Sequence, residues 1–339
     1  MKFVHAIRSD GFAGVERHVA SLAAAQAGSG HSVAVIGGDP RAMARAIGDG
    51  SVPHRAAATV LETARGIDAW ARCDVLHVHM TAAETAALLA ARAWRVPVVS
   101  TRHFASPRGT GASGRLVAAA VRRRIRAQIS ISGYVADHVD GASTVVPAGV
   151  ASRADRRPAA ERENTVLIAQ RLEAEKRTDV GVRGFAASGL AEDGWRLVVA
   201  GGGSQRGRLE ALVDELGLTP SVDFLGHRSD VDHLMDRAGL LLATCPIEGL
   251  GLTVLEAMAH GLPVVAAAGG GHVETLGAAA DGALYAPLDP DDAGRLLARL
   301  AADPAARDAY GKDLQSAQRR RYTLEAQARA TDAVYRSIL

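Results

Sequence analysis

The sequence predicts an α/β protein built from two doubly wound parallel-sheet domains that face a central cleft. Three observations carry that expectation. Twelve short apolar runs of strand length alternate with helix-period segments along the chain, and strands separated by helical patterns imply βαβ units, hence parallel sheets covered on both faces. A polar stretch without apolar period, ASRADRRPAAEREN (residues 151–164), divides those runs into six and six. The chain has 339 residues, more than one core usually serves and comfortable for two.

The elements follow in chain order. KFVHAI, SVAVIGG, DVLHVHM, PVVSTRH, AQISIS and STVVPAG read as strands of the first sheet, and NTVLIAQ, RLVVAGGG, VDFLG, GLLLATC, PVVAAAGG and GALYAP as strands of the second. Between RLVVAGGG and VDFLG, the stretch RGRLEALVDELGL places Leu209, Leu212, Val213 and Leu216 at the i, i+3, i+4, i+7 positions of one helix face. The domains are expected at 1–152 and 153–320. A last helix within 321–339, ending AVYRSIL, is expected to pack back on the first domain. In such sheets ligands bind beyond the carboxyl ends of the strands, where the strand order reverses.

Composition narrows the class. The 39 Lys and Arg against 37 Asp and Glu leave a net charge of +2, without the basic excess of a nucleic-acid binder. Cys73 and Cys245 form no metal-binding spacing and fit a reduced, cytoplasmic setting. The opening MKFVHAIRSDGFAG lacks the long apolar core of a signal peptide. No run of about 18 apolar residues suggests a membrane span. The basic run Arg122, Arg123, Arg124, Arg126 lies on an expected helix. It reads as a solvated face, with a peripheral contact to an anionic inner membrane face or acceptor as the alternative.

The stretch EGLGLTVLEAMAHGLPVVAAAGGG (residues 248–271) carries the most chemistry. Thr253 and Glu256 have the S/T-x-x-E spacing of a capping box just before the helical VLEAMAHG. Gly249 and Gly251 leave the backbone bare ahead of that helix start, where unpaired N–H groups favour an anion. Carboxylates beside an anion site repel phosphate, so Glu248 and Glu256 suit neutral hydroxyls flanking it: Glu256 those of a ribose, Glu248 those of a sugar. A nucleotide diphosphate-sugar has that pattern. In LIAQRLEAEKRTDV, Arg171 and Lys176 follow a strand and suit a cationic clamp on a pyrophosphate.

EGLGLTVLEAMAHGLPVVA resembles the Glu-(seven residues)-Glu motif, with its Ala-Met-Ala-x-Gly-x-Pro tail, of the family 4 glycosyltransferases. QRLEAEK is similar to that family's Gly-Arg-Leu…Lys-Gly segment, with Gln170 and Arg177 in place of the usual glycines. LVVAGGGSQRGRLEAL, VDFLGHRSDVDHLM and GALYAPLDPDDAGRLLARLAADP match the family's order of elements. DGFAGVERH resembles its Gly-Gly-x-Glu loop, with Ala13 replacing one glycine and Gly14 keeping the other, and VVSTRHF its strand end with an active-site histidine, here His103. The resemblance implies a GT-B fold of two Rossmann-like domains. It implies a retaining transfer from a nucleotide diphosphate-sugar, UDP or GDP type, to an acceptor hydroxyl bound by the N-terminal domain. That acceptor would belong to a glycolipid, a polysaccharide precursor or a small molecule.

On that reading Arg171, Lys176 and the amides around Gly251, Leu252 and Thr253 stabilise the leaving diphosphate, with Gly249 and Leu250 in the same donor loop. Glu248 positions the sugar and His103 contacts it. Gly14 lets the backbone approach the phosphates, Gly202 lines the donor cleft in AGGGSQRG, and His227 and Arg228 belong to the base-contacting loop GHRSD. No cofactor and no metal are expected. Asp230-Val-Asp232 opens a helix and reads as capping. His77 and His79 share one strand face and could bind a metal, but no third ligand at a convincing spacing accompanies them, so a structural or cleft-lining role is expected. Two other functions are weighed. A nicotinamide-dependent oxidoreductase is disfavoured because the glycines run Gly201-x-Gly203-x-x-x-Gly207, one residue longer than the dinucleotide fingerprint. A non-catalytic nucleotide-sugar binder is separated from an enzyme only by turnover. The sequence does not disclose an oligomeric state.

Overall fold

All the strands paired in the two sheets run parallel to their neighbours. A parallel sheet needs a crossover between consecutive strands and is buried on both faces. The computed structural model describes residues 1–48, 50–109, 111–279 and 282–339. The chain divides into two units: Met1–Gly149 with Thr323–Leu339, and Val150–Tyr322.

The first unit contains β1 (Lys2–Ile7), β2 (Ser32–Ile36), β3 (His54–Arg55), β4 (Val75–His79), β5 (Val98–Arg102), β6 (Ile125–Ser130) and β7 (Thr144–Val145). Their order in the sheet is β3-β2-β1-β4-β5-β6-β7, so the winding reverses between β1 and β4. Successive residues of each strand point to opposite faces, and both faces are apolar. Val4, Ala6, Leu76, Val78 and Val98 pack with Ala64, Ile67, Ala83 and Ala86 of the helices Val60–Ala69 and Met80–Leu89. Phe3, Val35, Val75, Val99 and Ile129 form the other layer with Val19, Ala23 and Met43. The C-terminal helix Leu324–Arg336, capped by Thr323, completes this second layer with Val334 and Tyr335. Tyr335 meets Phe3 edge-on at 4.6 Å between ring centres. Alanine-rich helices sit close to the sheet because their side chains are small, which suits a chain with only 4% aromatic residues.

The second unit contains β8 (Thr165–Ala169), β9 (Arg196–Ala200), β10 (Val222–Gly226), β11 (Leu240–Ala243), β12 (Val264–Ala267) and β13 (Ala283–Tyr285), in the order β10-β9-β8-β11-β12-β13. The reversal falls between β8 and β11. The stretch 151–164, expected as a linker, is fastened to this unit. Arg156 forms a two-bond pair with Asp308 at 2.6 and 3.0 Å. The Arg162 guanidinium donates to the carbonyls of Met235, Asp236, Ala238 and His260 at 2.8–3.1 Å.

Three expectations change. β3, His54–Arg55, holds no apolar residue, so no apolar run marks it, whereas the equally short β7 lies within the run STVVPAG. Helix Gly111–Arg124 ends inside the basic run and β6 begins at Ile125, so Arg126 lies on a strand. Within that run Arg124 is tied to the carbonyls of Ala93 and Val96 at 2.8 and 2.9 Å. The third change, at the start of the helix after β11, belongs to the site.

Candidate functional site

In the second unit the loops after β8 and β11 meet at the reversal point. The helix following β11 is Leu252–Ala259, and its first flanking residue is Gly251 at φ 92°, ψ 71°. That left-handed conformation is open to glycine at little cost. A Cβ there would also come within 3.1 Å of the His272 ring. The glycine bend starts the helix earlier than a threonine cap would, so Thr253 lies inside the first turn and the expected capping box is not formed. Gly251 has no side chain with which to cap the helix, and the leading N–H groups of a helix start are disposed toward an anion.

Beside it, Lys176 Nζ donates to Glu248 Oε2 at 2.6 Å. Burial alone would raise the Glu248 carboxyl, but the Lys176 charge and hydrogen bond outweigh it and hold the carboxyl below its ordinary value. Burial likewise opposes the Lys176 charge, and Glu248 reverses that, holding the ammonium above its ordinary value. Both groups are therefore ionised, and an ammonium with one bond to Glu248 retains two further donors.

The pair is braced from behind. Gln170 Nε2 donates to the Lys176 carbonyl at 3.2 Å, to Thr178 Oγ1 at 2.9 Å and to Thr244 Oγ1 at 2.8 Å. Thr244 Oγ1 donates to the same Lys176 carbonyl at 2.6 Å. Gln170 and Thr244 were not singled out from the sequence; the only signal was a glutamine where the family resemblance expects glycine. Arg177, at the other such position, takes the left-handed conformation, φ 50° and ψ 41°. Under Glu248 the chain passes close: Gly271 N–H donates to the Glu248 carbonyl at 2.7 Å. A Cβ on Gly270 would stand 2.3 Å from that oxygen. The glycines after β12 thus let the loop carrying Glu248 sit down on its neighbour. Among the described residues, Nδ1 of the buried His272 finds no partner.

The remaining expected donor residues are more scattered. Arg171 is exposed and pairs with Glu175 at 2.9 Å. Leu250 is buried, and Glu256 is half-buried one turn into the helix. Gly202 has room for a side chain. Its neighbours Gly201 and Gly203 are the ones pressed against the carbonyls of Gln170 and Leu172. His227 is exposed, and Arg228 forms a two-bond pair with Asp230 at 2.7 and 2.6 Å. Asp230 therefore does not cap its helix, contrary to expectation. Asp232 instead joins Arg153 and His260.

In the first unit a chain of histidines lies at the reversal between β1 and β4. His5 is paired in register with His77, and Ile7 with His79, so His5, His77 and His79 share one face of the sheet. His103 follows β5. All four are buried, His103 with 5% of its surface left exposed, which puts His77 and His79 on the structural side of the role expected for them. His5 Nδ1 lies 3.1 Å from His79 Nε2, and His79 Nδ1 lies 3.1 Å from His103 Nε2. His77 bonds Tyr335 OH at 2.5 Å and Thr101 Oγ1 at 2.6 Å. His18 stands edge-on to His103 at 4.7 Å between ring centres. The third partners thought missing for a metal are thus present. Ligand nitrogens of His5, His77 and His79, and of His18, His79 and His103, lie within 4.8 Å of one another. Burial pushes His5 down to about 4 and His18 to about 3, and holds His77, His79 and His103 well below the ordinary histidine range. Gly14 is the first residue of helix Gly14–Gly28, where Glu16 Oε2 accepts from the Ala13 N–H at 2.8 Å.

Two Rossmann-like parallel-sheet units, the second with a glycine-led helix start and a Lys–Glu pair at its reversal point, define the GT-B class. Two family models match the chain, Glycosyltransferase Family 4 over residues 12–151 and Glycosyl transferases group 1 over residues 152–316. The chain belongs to the family 4 glycosyltransferases. It is 33% identical over 174 residues to the lipopolysaccharide core biosynthesis mannosyltransferase LpcC of Rhizobium leguminosarum bv. viciae, covering 50% of this chain and 49% of that one. It is 30% identical over 279 residues to the D-inositol 3-phosphate glycosyltransferase of Salinispora arenicola, covering 69% of this chain and 62% of the relative. The chain thus spans less than two thirds of the length of these relatives. In fold it is similar to Anabaena Alr3699/HepE in complex with UDP-glucose, with TM-score 0.83, 18% identity, and coverage of 99% of this chain and 100% of that one. It is also similar to AviGT4, a glycosyltransferase involved in avilamycin A biosynthesis, with TM-score 0.73, 19% identity, and coverage of 99% and 97%. Among the described residues no helix is long and apolar enough to cross a membrane.

Proposed function

We propose that the protein is a retaining glycosyltransferase that moves a sugar from a nucleotide diphosphate-sugar to an acceptor hydroxyl. The observation that carries this is the Lys176–Glu248 pair beside the glycine-led start of helix Leu252–Ala259. A diphosphate leaving group gains negative charge as its bond to the sugar C1 breaks. A preorganised ammonium and helix amides stabilise that charge. The acceptor oxygen bonds to C1 on the face the diphosphate leaves, and the acceptor proton passes to a diphosphate oxygen. Lys176 and Arg171 hold the diphosphate, Glu248 orients the sugar, Glu256 takes the ribose hydroxyls, and the loop with His227 and Arg228 lies toward the base. The first unit supplies the acceptor site and His103.

The donor class is supported by the UDP-glucose complex of the structural neighbour. Transfer without a metal is supported by the engagement of Asp230 with Arg228, and of Asp232 with Arg153 and His260. A peripheral contact to an anionic surface is supported by helix Gly111–Arg124, where Leu116 and Val117 are exposed beside Arg115, Arg122 and Arg123. The oxidoreductase alternative draws no support from the site, which centres on the Lys176–Glu248 ion pair and carries no dinucleotide turn of the expected spacing.

The two carboxylates separate the roles. Glu256→Gln keeps the side chain's shape and is expected to fold like the wild type. A carboxylate bridging two ribose hydroxyls has two acceptor atoms where the amide has one, so the change is expected to weaken nucleotide diphosphate binding by about 1–3 kcal/mol. Glu248→Gln is expected to act on kcat and sugar preference, with nucleotide diphosphate affinity nearly intact. Calorimetric titration of both variants checks this; wild-type affinity in Glu256→Gln contradicts the ribose role.

A further inference from the structure

The buried histidines of the first unit form an ordered hydrogen-bond chain with one fixed end. That end is Asp332 on the C-terminal helix. Its two oxygens face Gln26 Nε2 at 2.8 Å and His31 Nε2 at 2.9 Å. A carboxylate only accepts, so the Gln26 amide nitrogen must face it and the Gln26 carbonyl oxygen must face away. That oxygen lies 2.7 Å from His5 Nε2, which must therefore carry the proton, leaving His5 Nδ1 as an acceptor. At 3.1 Å from it, His79 Nε2 must then donate, and His79 Nδ1 is left to accept. His103 Nε2, 3.1 Å further on, must donate in turn. With neutral rings throughout, only one arrangement satisfies every link. It ends with His103 protonated on Nε2 and carrying a lone pair on Nδ1.

We propose that Asp332, Gln26, His5 and His79 are positioning residues that fix the tautomer of His103, so that His103 meets its substrate as a hydrogen-bond acceptor through Nδ1. This rests on His103 acting in the transfer proposed above. Three features favour a wire of protons over a metal ion in the same cluster. Each nitrogen pair faces across one hydrogen-bond length, so the lone pair of one is taken by the proton of the other. The His77 and His79 rings are stacked, 4.3 Å apart and 28° from parallel, which keeps their lone pairs from converging on one ion. His77 has both nitrogens occupied by Tyr335 and Thr101. The chain is also held rigidly. His79 is followed by Met80 at φ 71°, a conformation that a residue with a Cβ adopts only where its surroundings impose it. His18, packed on the His103 ring, is itself oriented: the Gly149 N–H takes Gln327 Oε1 at 2.7 Å, so Gln327 Nε2 donates to His18 Nε2 at 3.1 Å.

The test is nitrogen NMR of the full-length protein labelled with 15N-histidine, which reads which ring nitrogen carries the proton. The expected result for the wild type at neutral pH is protonated Nε2 and bare Nδ1 at His5, His79 and His103. A proton on His103 Nδ1, or exchange of His103 between both forms, overturns the chain. Stoichiometric metal in the purified protein, or Zn²⁺ that shifts these signals at one equivalent, also overturns it in favour of an ion site. Gln26→Leu cuts the chain and is expected to release a second His103 tautomer and to lower kcat by about tenfold, the lower end for a lost partner that orients an active-site group, with donor KM unchanged. His79→Gln, whose amide can accept from His103 and donate to His5, is expected to preserve both tautomer and kcat. A single unchanged His103 tautomer in Gln26→Leu overturns the role of the chain. Full activity in His103→Ala removes His103 from the reaction, and so the assignment of an acceptor role, while the wild-type spectrum still decides the chain.

Discussion

Lys176→Ala is expected to lower kcat/KM by a factor on the order of 10² to 10³, the usual loss for one preorganised group that stabilises developing charge. Two effects combine in this variant. The leaving diphosphate loses its point charge, and Glu248 loses the partner that keeps its carboxyl ionised against burial. Breaking a buried ion pair typically costs about 3–5 kcal/mol, and the modest solvent contact that both groups keep places this pair at or below the lower end. Lys176→Ala should therefore lose stability as well as rate. Arg171 separates the two effects. It is 59% exposed and pairs with Glu175, an arrangement that contributes about 0–1 kcal/mol. Arg171→Ala should lose rate to a similar degree while melting like the wild type. Steady-state kinetics and thermal unfolding of the two variants check this; an active Lys176→Ala enzyme removes the ammonium from the reaction.

Stability is expected to fall steeply as pH drops below 6.5. Burial holds His5 at about 4, His18 at about 3, and His77, His79 and His103 well below their ordinary value of 6.5. Asp332 raises His5 only in part. Between the unfolded and folded values the unfolded chain binds more protons than the folded one, so stability rises with pH across that window and is lost as pH falls. Each histidine costs about 1.4 kcal/mol per pH unit there. All five act in the same direction across that window. The carboxylates with depressed values, Asp140 and Glu248 among them, lose their contribution only nearer pH 4. The histidines therefore own the upper window. Urea unfolding at pH 7.5, 6.5 and 5.5 measures it, and a stability unchanged to pH 5.5 contradicts the neutral buried cluster.

How much of this the sequence disclosed depends on the range of the signal. Strands announce themselves by apolar runs, even the short β7 and β13, and the helix face of Leu209, Leu212 and Val213 by its period. β3, His54–Arg55, has no apolar residue to give such a run. Thr253 misled because a cap spacing is local, whereas the helix start is decided by Gly251, whose left-handed backbone is not written in the pattern. Lys176 and Glu248 were each chosen, but for separate tasks; their pairing depends on the loops of β8 and β11 meeting across 72 positions of sequence. The histidine chain was hidden for the same reason. Its members sit at positions 5, 79 and 103, with Asp332 far beyond, and only the β1–β4 reversal and the returning C-terminal helix bring them into line. Arg177 shows the converse. It departs from the family pattern, yet the backbone keeps the left-handed turn that glycine would take without strain.

On this mechanism the second unit holds a nucleotide diphosphate through protein groups alone. Calorimetric titration of UDP and GDP into the wild type and Lys176→Ala, both in excess chelator, tests it most directly. One of the two nucleotides is expected to bind the wild type in chelator and to bind Lys176→Ala at least about tenfold more weakly, in keeping with the loss of a bond to a charged group. No binding in chelator with recovery on adding Mn²⁺, or binding of NADH in place of either nucleotide, would contradict it.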